Sequence, residues 1–540
     1  MSEVNPSPAA QSPIKLSATD DKLGVRVEEP SRTVSVIDIG ASSIRMAVAE
    51  LRGGGKVRKL DQLVQPIQLG LDTFETRKLS RKSIEQVVVV LRNYKRVLRE
   101  YGIKEPRNVR VVATSAVQEA SNRLQFIDRV FTATGFEVEP IDSAEVNRIT
   151  YMGITPQLLS HEHLANGKAL VLEVGGGSTE ALMVRSGNVL ASKSFRLGAL
   201  RMLQTVEQAR AGSSQKRPLL ENQIKRAIQS LADIVSGESQ LNLVAIGGDI
   251  RLASRLVSGR WKSEELVEIK TQDLIELTDR VTELEDDQLV KQFGTTFVEA
   301  QTLGPALLAY SLVAQHFDVE RVFVSDTNLR DGLLKDIAAG GSWTAEFRNQ
   351  IIRSALSLGR RFHFDEMHAR SVAELTRKLY GQLRPQHLLD SRQEVILYVA
   401  ALLHEIGMQI NVRSHHKHAL YIIRNSELFG LSRAELLEVG LVARYYRRAT
   451  PQPSHSDYMS LDRDTRVCVN KLAAILRLAT ALDDTRTGRI RDVQCTVDDK
   501  RLTIRTPGVR DVSMEQLAIR NQASLFREVY GKSVVLHAGD

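Results

Sequence analysis

The amino-acid sequence predicts an α/β, two-lobed first half, a mainly α-helical region after it and a small α/β cap at the end. Three observations carry this. From Thr33 onward, apolar strand-like runs alternate with helix-periodic segments, the pattern of an α/β fold. Two strand–turn–strand segments match each other, "TVSVIDIGASSIRMAVAEL" (Thr33 to Leu51) and "KALVLEVGGGSTEALMV" (Lys168 to Val184). Each turn reads acid, any residue, Gly, two residues, Ser: Asp38, Gly40 and Ser43 in the first, Glu173, Gly175 and Ser178 in the second. Such a pair suggests a duplicated lobe with a cleft between the copies. Beyond the Gly340–Gly341 pair and Ser342, which mark a linker, the pattern turns helical.

Residues 1–32 are rich in Ser, Pro and Ala without periodicity and read as a disordered tail. The first lobe is expected over 33–155. In it "LSRKSIEQVVVVLRNYKRVLREYGI" predicts a helix ending at Gly102, and "NVRVVATSAV" a strand running into a turn. The second lobe, 156–338, holds the glycine hairpin, then "LNLVAIGGDIRLASRL" as strand, Gly pair and helix, then "ERVFVSDTNLRDGLL". The helical domain is expected over 345–486. The cap, 487–540, reads as two strands, one helix and a strand.

Composition sets limits. A chain of 540 residues with 42% hydrophobic content is too long for one core. Cys468 and Cys495 are the two cysteines, too few for a disulfide framework or a Cys-based zinc site, and are expected reduced in the cytoplasm. No apolar run approaches the roughly 20 residues of a bilayer span, and the N-terminus lacks a signal pattern, so no membrane partner is expected. The net charge of +8 favours a polyanionic partner or a solvated basic surface, with no specific nucleic acid implied.

Three consecutive glycines, Gly175 to Gly177, weaken the strands they join unless something profits from the missing side chains. Phosphate is the commonest beneficiary, because turn N–H dipoles converge on it, with Ser178 and Thr179 adding hydroxyls. A tight hairpin with a glycine bulge is the alternative.

The ordered series "VIDIGASSIRMAV", "VVATSAVQEASN", "IDSAEVNRITYMGI", "LEVGGGSTEALMV", "LGAL", "AIGGDIRLA" and "VSDTNLRDGLL" resembles the exopolyphosphatase and guanosine pentaphosphate phosphatase (Ppx/GppA) family. The likeness continues into "LYVAALLHEIGMQINVRSHHKHALYIIRNS" and "KLAAILRLATALDD", similar to the HD-type domain of the family's long form. It implies an actin-like (ASKHA, ribonuclease H-like) fold and Mg²⁺-assisted hydrolysis of a terminal phosphoanhydride. The substrate would be inorganic polyphosphate or guanosine penta- or tetraphosphate, and the expected assembly is a homodimer. Phosphate would be bound by Gly40, Ser42, Ser43, Gly175, Gly176, Gly177, Ser178, Gln118, Gly247 and Gly248. Asp38, Glu173, Glu180 and Glu145 are the catalytic candidates, with Asp38 and Glu173 as metal ligands.

Departures from the family fall on chemical positions. Glu173 stands for Asp, and Ala41, Ser42, Ser43 for Ser-Asn-Ser. Gln118 replaces a phosphate-binding Arg, a cationic fork that an amide cannot imitate. Val146 aligns with the general base, which leaves Glu145 beside it or Glu173 and Glu180 at the loop mouth to orient water. These changes leave open a catalytically weakened sensor or scaffold. In the helical half, His368, His404, Glu405 and Asp483 match an HD-type metal set, with Glu405 where Asp is expected, or are hydrogen-bonded helix residues. Tyr446 sits where relatives tend to carry His. His415, His416 and His418 read as polar residues after a helix C-terminus. Lys417, Arg444, Arg447 and Arg448 form a basic wall or a solvated face.

Overall fold

The structure, a computed structural model, describes residues 31–540 except 211, 236–240, 260–264, 341–342, 448 and 540. The expected tail, most of the linker signal and Arg448 therefore lie outside the described residues. The chain forms two compact units, Glu29–Gly341 with Phe429–Arg433, and Ser342–Leu428 with Ala434–Asp540.

The first unit contains two sheets. The first is built from β1 (Arg32–Ile39), β2 (Ser43–Arg52), β3 (Lys56–Pro66), β4 (Val109–Ala113) and β5 (Val138–Pro140), in the order β3-β2-β1-β4-β5. The second takes β6 (Lys168–Val174), β7 (Thr179–Arg185), β8 (Asn188–Phe195), β9 (Asn242–Ile246), β10 (Val267–Lys270) and β11 (Arg321–Ser325), in the order β10-β11-β9-β6-β7-β8. Each begins with an antiparallel meander and continues with parallel strands on the other side of its first strand, β4 beside β1 and β9 beside β6. The second sheet differs by one antiparallel edge strand, β10. The inner strands β1, β6 and β9 are near-continuous apolar runs because they pack on both faces. The edge strand β3, "KVRKLDQLVQP", is mostly exposed and carries basic side chains that discourage further pairing.

Helices cover the sheets. Arg81–Glu100 starts where the Ser80 hydroxyl accepts from Ser83 N–H, and it ends before Gly102, which takes φ +74°. The helix Ser143–Ser160 runs straight through position 155, so no lobe boundary falls there. Phe297–His316 is, by length and composition, long and apolar enough to cross a bilayer, contrary to the sequence reading. Its Ala, Gly, Ser and Thr residues interrupt the run of large apolar side chains. Most of the helix is buried in the second lobe's core, where those small residues allow close packing.

The second unit is mainly helical and ends in a three-stranded sheet of β12 (Gln494–Val497), β13 (Arg501–Thr506) and β14 (Ser533–Ala538). The single cap helix expected there is two, Ser513–Gln522 and Ser524–Tyr530. The basic stretch of His415, His416, Lys417 and His418 does not follow a helix but opens one, His415–Arg424, after Ser414 turns the chain at φ +62°.

Candidate active site

The two hairpins are superposable in their hydrogen bonding. Gly40 N–H donates to Ser43 O at 3.0 Å, and Gly175 N–H to Ser178 O at 2.9 Å. Asp38 pairs with Arg45 across the first hairpin, and Glu173 with Glu180 across the second, at the same offset from their turns. A helix N-terminus closes each loop in the same way: Gly70 N–H donates to Ala41 O at 2.9 Å, and Leu200 N–H to Gly176 O at 3.0 Å. The acid-Gly-Ser repeat is thus a repeated backbone device.

None of Gly175 to Gly177 has a positive φ, and the steric need for glycine is severe at Gly177. A Cβ on Gly176 would lie 3.4 Å from Ala41 Cβ and 3.6 Å from Ser42 Oγ, in the first lobe's loop. One on Gly177 would sit 2.2 Å from Ser115 Oγ and 2.6 Å from Phe74 Cζ. The triple glycine lets the second lobe's loop rest directly on the first lobe. Gly177→Ala is therefore expected to lower stability by ~1–3 kcal/mol through overpacking and to depress activity, as read by thermal denaturation and phosphate release.

Charged groups collect beside these loops. Asp38 is buried and its Oδ1 has no hydrogen-bond partner among the described residues; nor do Ser43 Oγ and Arg330 Nη1. Arg330 Nη1 lies 3.7 Å from Asp38 Oδ2. Burial raises the pKa of Asp38 against the opposing charges of Arg45 and Arg330. Burial also raises Glu173, with Arg251 opposing and Asp38 adding to the rise, while Thr150 Oγ1 donates to Glu173 Oε2 at 3.3 Å. Burial lowers Arg330 to about 10. Asp249, in the first turn of the helix Gly248–Ser258, is pushed up to about 6 by burial and accepts from Thr302 Oγ1 at 3.1 Å. Gly247 caps that helix at φ +138°, a conformation that a side chain would strain.

Glu180 accepts from Ser194 Oγ, which in turn accepts from Asn147 Nδ2 at 3.3 Å. Burial pushes its carboxyl up to about 7, and the charge of Glu173 adds to the rise. An acid raised in the folded state contributes stability below its ordinary pKa of 4.5 and loses it as pH climbs through 7. The shift corresponds to roughly 3 kcal/mol. Glu180→Gln should flatten that fall, measured as unfolding free energy at pH 5 and pH 8.

Glu145 is placed differently. It pairs with Arg148 at 2.6 Å, and Arg148 with Asp336 at 2.9 Å. Arg110 joins from β4, 2.6 Å from Asp336 and 3.6 Å from Glu145. Both carboxylate oxygens of Glu145 accept from the Arg148 guanidinium, so it is engaged as a structural ion-pair member. Val146 packs against the apolar cluster that includes Val34, Val36, Leu329 and Leu333. The side chains of the helix Ser143–Ser160 that serve the loop acids are instead Asn147 and Thr150. Gln118 ends the short helix Ser115–Gln118.

Sequence reasoning missed Arg45, Arg251 and Arg330. The hairpin register could have supplied Arg45, since it faces Asp38 as Glu180 faces Glu173. Arg251 and Arg330 stand within "AIGGDIRLA" and "VSDTNLRDGLL" but reach the loops only through tertiary packing.

In the helical unit, His368, His404 and Glu405 present ligand atoms within 4.8 Å of one another. His368 Nδ1 is 2.9 Å from Asp483 Oδ2, and His404 Nδ1 is 2.6 Å from Ala401 O. His404 Nε2 is buried without a partner among the described residues, and burial holds the imidazole down to about 4, hence neutral. Arg486 donates to Glu405 Oε1 at 2.6 Å. Tyr446 packs edge-on against His404 at 4.7 Å between ring centroids.

Two lobes of closely similar topology meeting at paired backbone loops, with buried carboxylates and arginines beside them, define a two-lobed actin-like fold. Its likeness to a solved exopolyphosphatase from Cytophaga hutchinsonii has a TM-score of 0.52 at 18% identity, over 57% of this chain and 98% of that one. The chain belongs to the Ppx/GppA phosphatase family, whose profile matches residues 32–339, and it is a hydrolase. The family's domain III matches 352–511. Over 489 residues the chain is 24% identical to a protein of Vibrio atlanticus (strain LGP32) named guanosine-5'-triphosphate,3'-diphosphate pyrophosphatase, covering 88% of this chain and 93% of that one. A protein of the same name from Vibrio vulnificus (strain YJ016) is 23% identical over 480 residues, 87% and 91% of the two chains.

Proposed function

We propose that this protein hydrolyses the terminal phosphoanhydride of inorganic polyphosphate or guanosine pentaphosphate in the cleft between its lobes. One observation carries the reading: among the described residues Asp38 Oδ1, Ser43 Oγ and Arg330 Nη1 are buried without hydrogen-bond partners, with Arg330 Nη1 3.7 Å from Asp38 Oδ2. A donor, an acceptor and a hydroxyl left together in this state suit a phosphate and its counter-ion. The names of the relatives favour the same substrates. Asp38 and Glu173 offer carboxylate oxygens that fit a hard divalent cation such as Mg²⁺, Asp38 with an oxygen to spare. When bound, the ion would offset charge on the transferring phosphoryl group. Arg330, Arg251 and Arg45 would hold phosphate oxygens, replacing the cation missing at Gln118. Glu180, near 7, is poised to accept a proton from water at neutral pH. A cytoplasmic location and a homodimer remain part of the reading. The test is phosphate release from long-chain polyphosphate and from guanosine pentaphosphate, with and without Mg²⁺ or EDTA. No metal-dependent release from either would overturn it.

A second reading, a polyphosphate or alarmone sensor with little turnover, is favoured by Gln118 and by the engagement of Glu145 with Arg148. Tight binding without release would establish it. A third concerns the helical unit, where an HD-type metal site is favoured by the buried free Nε2 of His404 and by the partners fixed on the Nδ1 atoms of both histidines. Calorimetric titration with Mn²⁺ or Zn²⁺ should then show binding that His404→Ala removes and Asp38→Ala keeps.

A further inference from the structure

Arg196 and Arg201 have no part in the hydrolysis just described, yet both reach from the second lobe to one carboxylate on the first. Arg201 Nη2 lies 2.7 Å from Glu119 Oε1, and Arg196 donates to Glu119 Oε2. Arg201 is held on two further sides: its Nε donates to Gly177 O at 3.0 Å, and its guanidinium stands 3.9 Å from the centroid of the Phe74 ring. Glu119 immediately follows Gln118, the position that lacks the expected cation. Arg123 donates to Gln118 O at 3.4 Å, and Arg77 is close enough for its charge to act on Arg201. Four arginines thus converge on this corner, and the carboxylate paired with any of them among the described residues is that of Glu119.

An arginine fork binds carboxylate and phosphate with the same planar geometry, but phosphate oxygens bring more charge. Glu119 therefore has the position and chemistry of a stand-in. Arg196 and Glu119 are reachable from solvent, with 58% and 21% of their side chains exposed, so exchange needs no unfolding of the lobe. The corner also adjoins the triple-glycine loop, whose Gly176 abuts Ala41 and Ser42 of the Asp38 loop.

Resting on the cleft reading, we propose that Arg196 and Arg201, flanked by Arg77 and Arg123, form a second subsite for the distal phosphates of a linear inorganic chain. Those phosphates displace Glu119 from the two arginines. The subsite makes recognition depend on chain length: a short substrate fills the Asp38 loop alone, whereas a longer one also engages the arginine corner.

The experiment compares KM and kcat for phosphate release from long-chain polyphosphate, tripolyphosphate and guanosine pentaphosphate. Arg196→Gln, alone and with Arg201→Gln, is expected to raise KM for the long chain about tenfold, as for a lost charge-assisted contact, and to leave tripolyphosphate within about twofold. Glu119→Gln should lower the long-chain KM severalfold by freeing both arginines. Should the double variant misfold, Arg196→Gln and Arg123→Gln, both at exposed positions, must still show the length-dependent loss. Equal losses on long and short substrates would overturn the subsite in favour of a simple lobe latch, and so would unchanged KM values. A loss confined to guanosine pentaphosphate would overturn the inorganic-chain assignment. If the wild type releases phosphate from none of the three, the cleft reading fails first and this subsite with it.

Discussion

Asp38→Asn is expected to reduce phosphate release by on the order of a thousandfold while leaving the fold as stable as before or slightly more so. The first part follows from the proposed role. Asp38 supplies the charge that holds the counter-ion, and losing one preorganised charged group at a phosphoryl-transfer centre removes orders of magnitude in rate. The second part follows from burial. Asp38 sits 5% exposed with an oxygen that has no hydrogen-bond partner among the described residues, and desolvation raises its carboxyl pKa, so ionising it in the folded state carries a cost. Asn has nearly the same shape and no charge, which removes the cost. Rates measured with Mg²⁺, alongside melting temperature at the same pH, separate the two effects. A variant that lost stability together with activity would assign Asp38 to the fold.

Arg330→Gln should have the second largest effect, roughly a hundredfold or more in kcat/KM on any phosphate substrate. Its guanidinium is buried, with Nη1 lacking a hydrogen-bond partner among the described residues and lying 3.7 Å from Asp38 Oδ2, and burial lowers its pKa to about 10. It stays charged through the neutral range. A buried cation held in that state gains most from an arriving anion. Gln keeps a donor but loses the charge, so inorganic phosphate, assayed as a competitive inhibitor, should bind less tightly in step with the loss in kcat/KM. Unchanged inhibition beside a large drop in kcat would instead make Arg330 a group that acts only on the transition state.

Much of the fold was legible because the signals were local. Helix Arg81–Glu100 announced itself by its period and by Gly102. The hairpins announced themselves by their repeated acid-Gly-Ser spacing, and that repeat carried over into matching hydrogen bonds. The site was legible in its loops but not in its cations. Arg45, Arg251 and Arg330 come from three elements far apart in the chain, and no local spacing marks them as a set. Glu145 misled for the same reason. Its place beside Val146 made it one of the acids offered to orient water, whereas Arg148, one helical turn away and itself paired with the distant Asp336, binds it into a structural network.

The triple glycine Gly175 to Gly177 shows where the division lies. By itself the sequence determined that two equivalent turns exist and that one of them must be free of side chains, since period and composition are properties of short stretches. Only the tertiary structure decided why. Gly177 faces Ser115 and Phe74 of the other lobe at distances that a Cβ would violate, and Gly176 lies within contact of Ala41 and Ser42. The close approach of two lobes, and the choice of which charges are buried opposite which, depend on packing between segments distant in the chain, and no pattern within either segment encodes it.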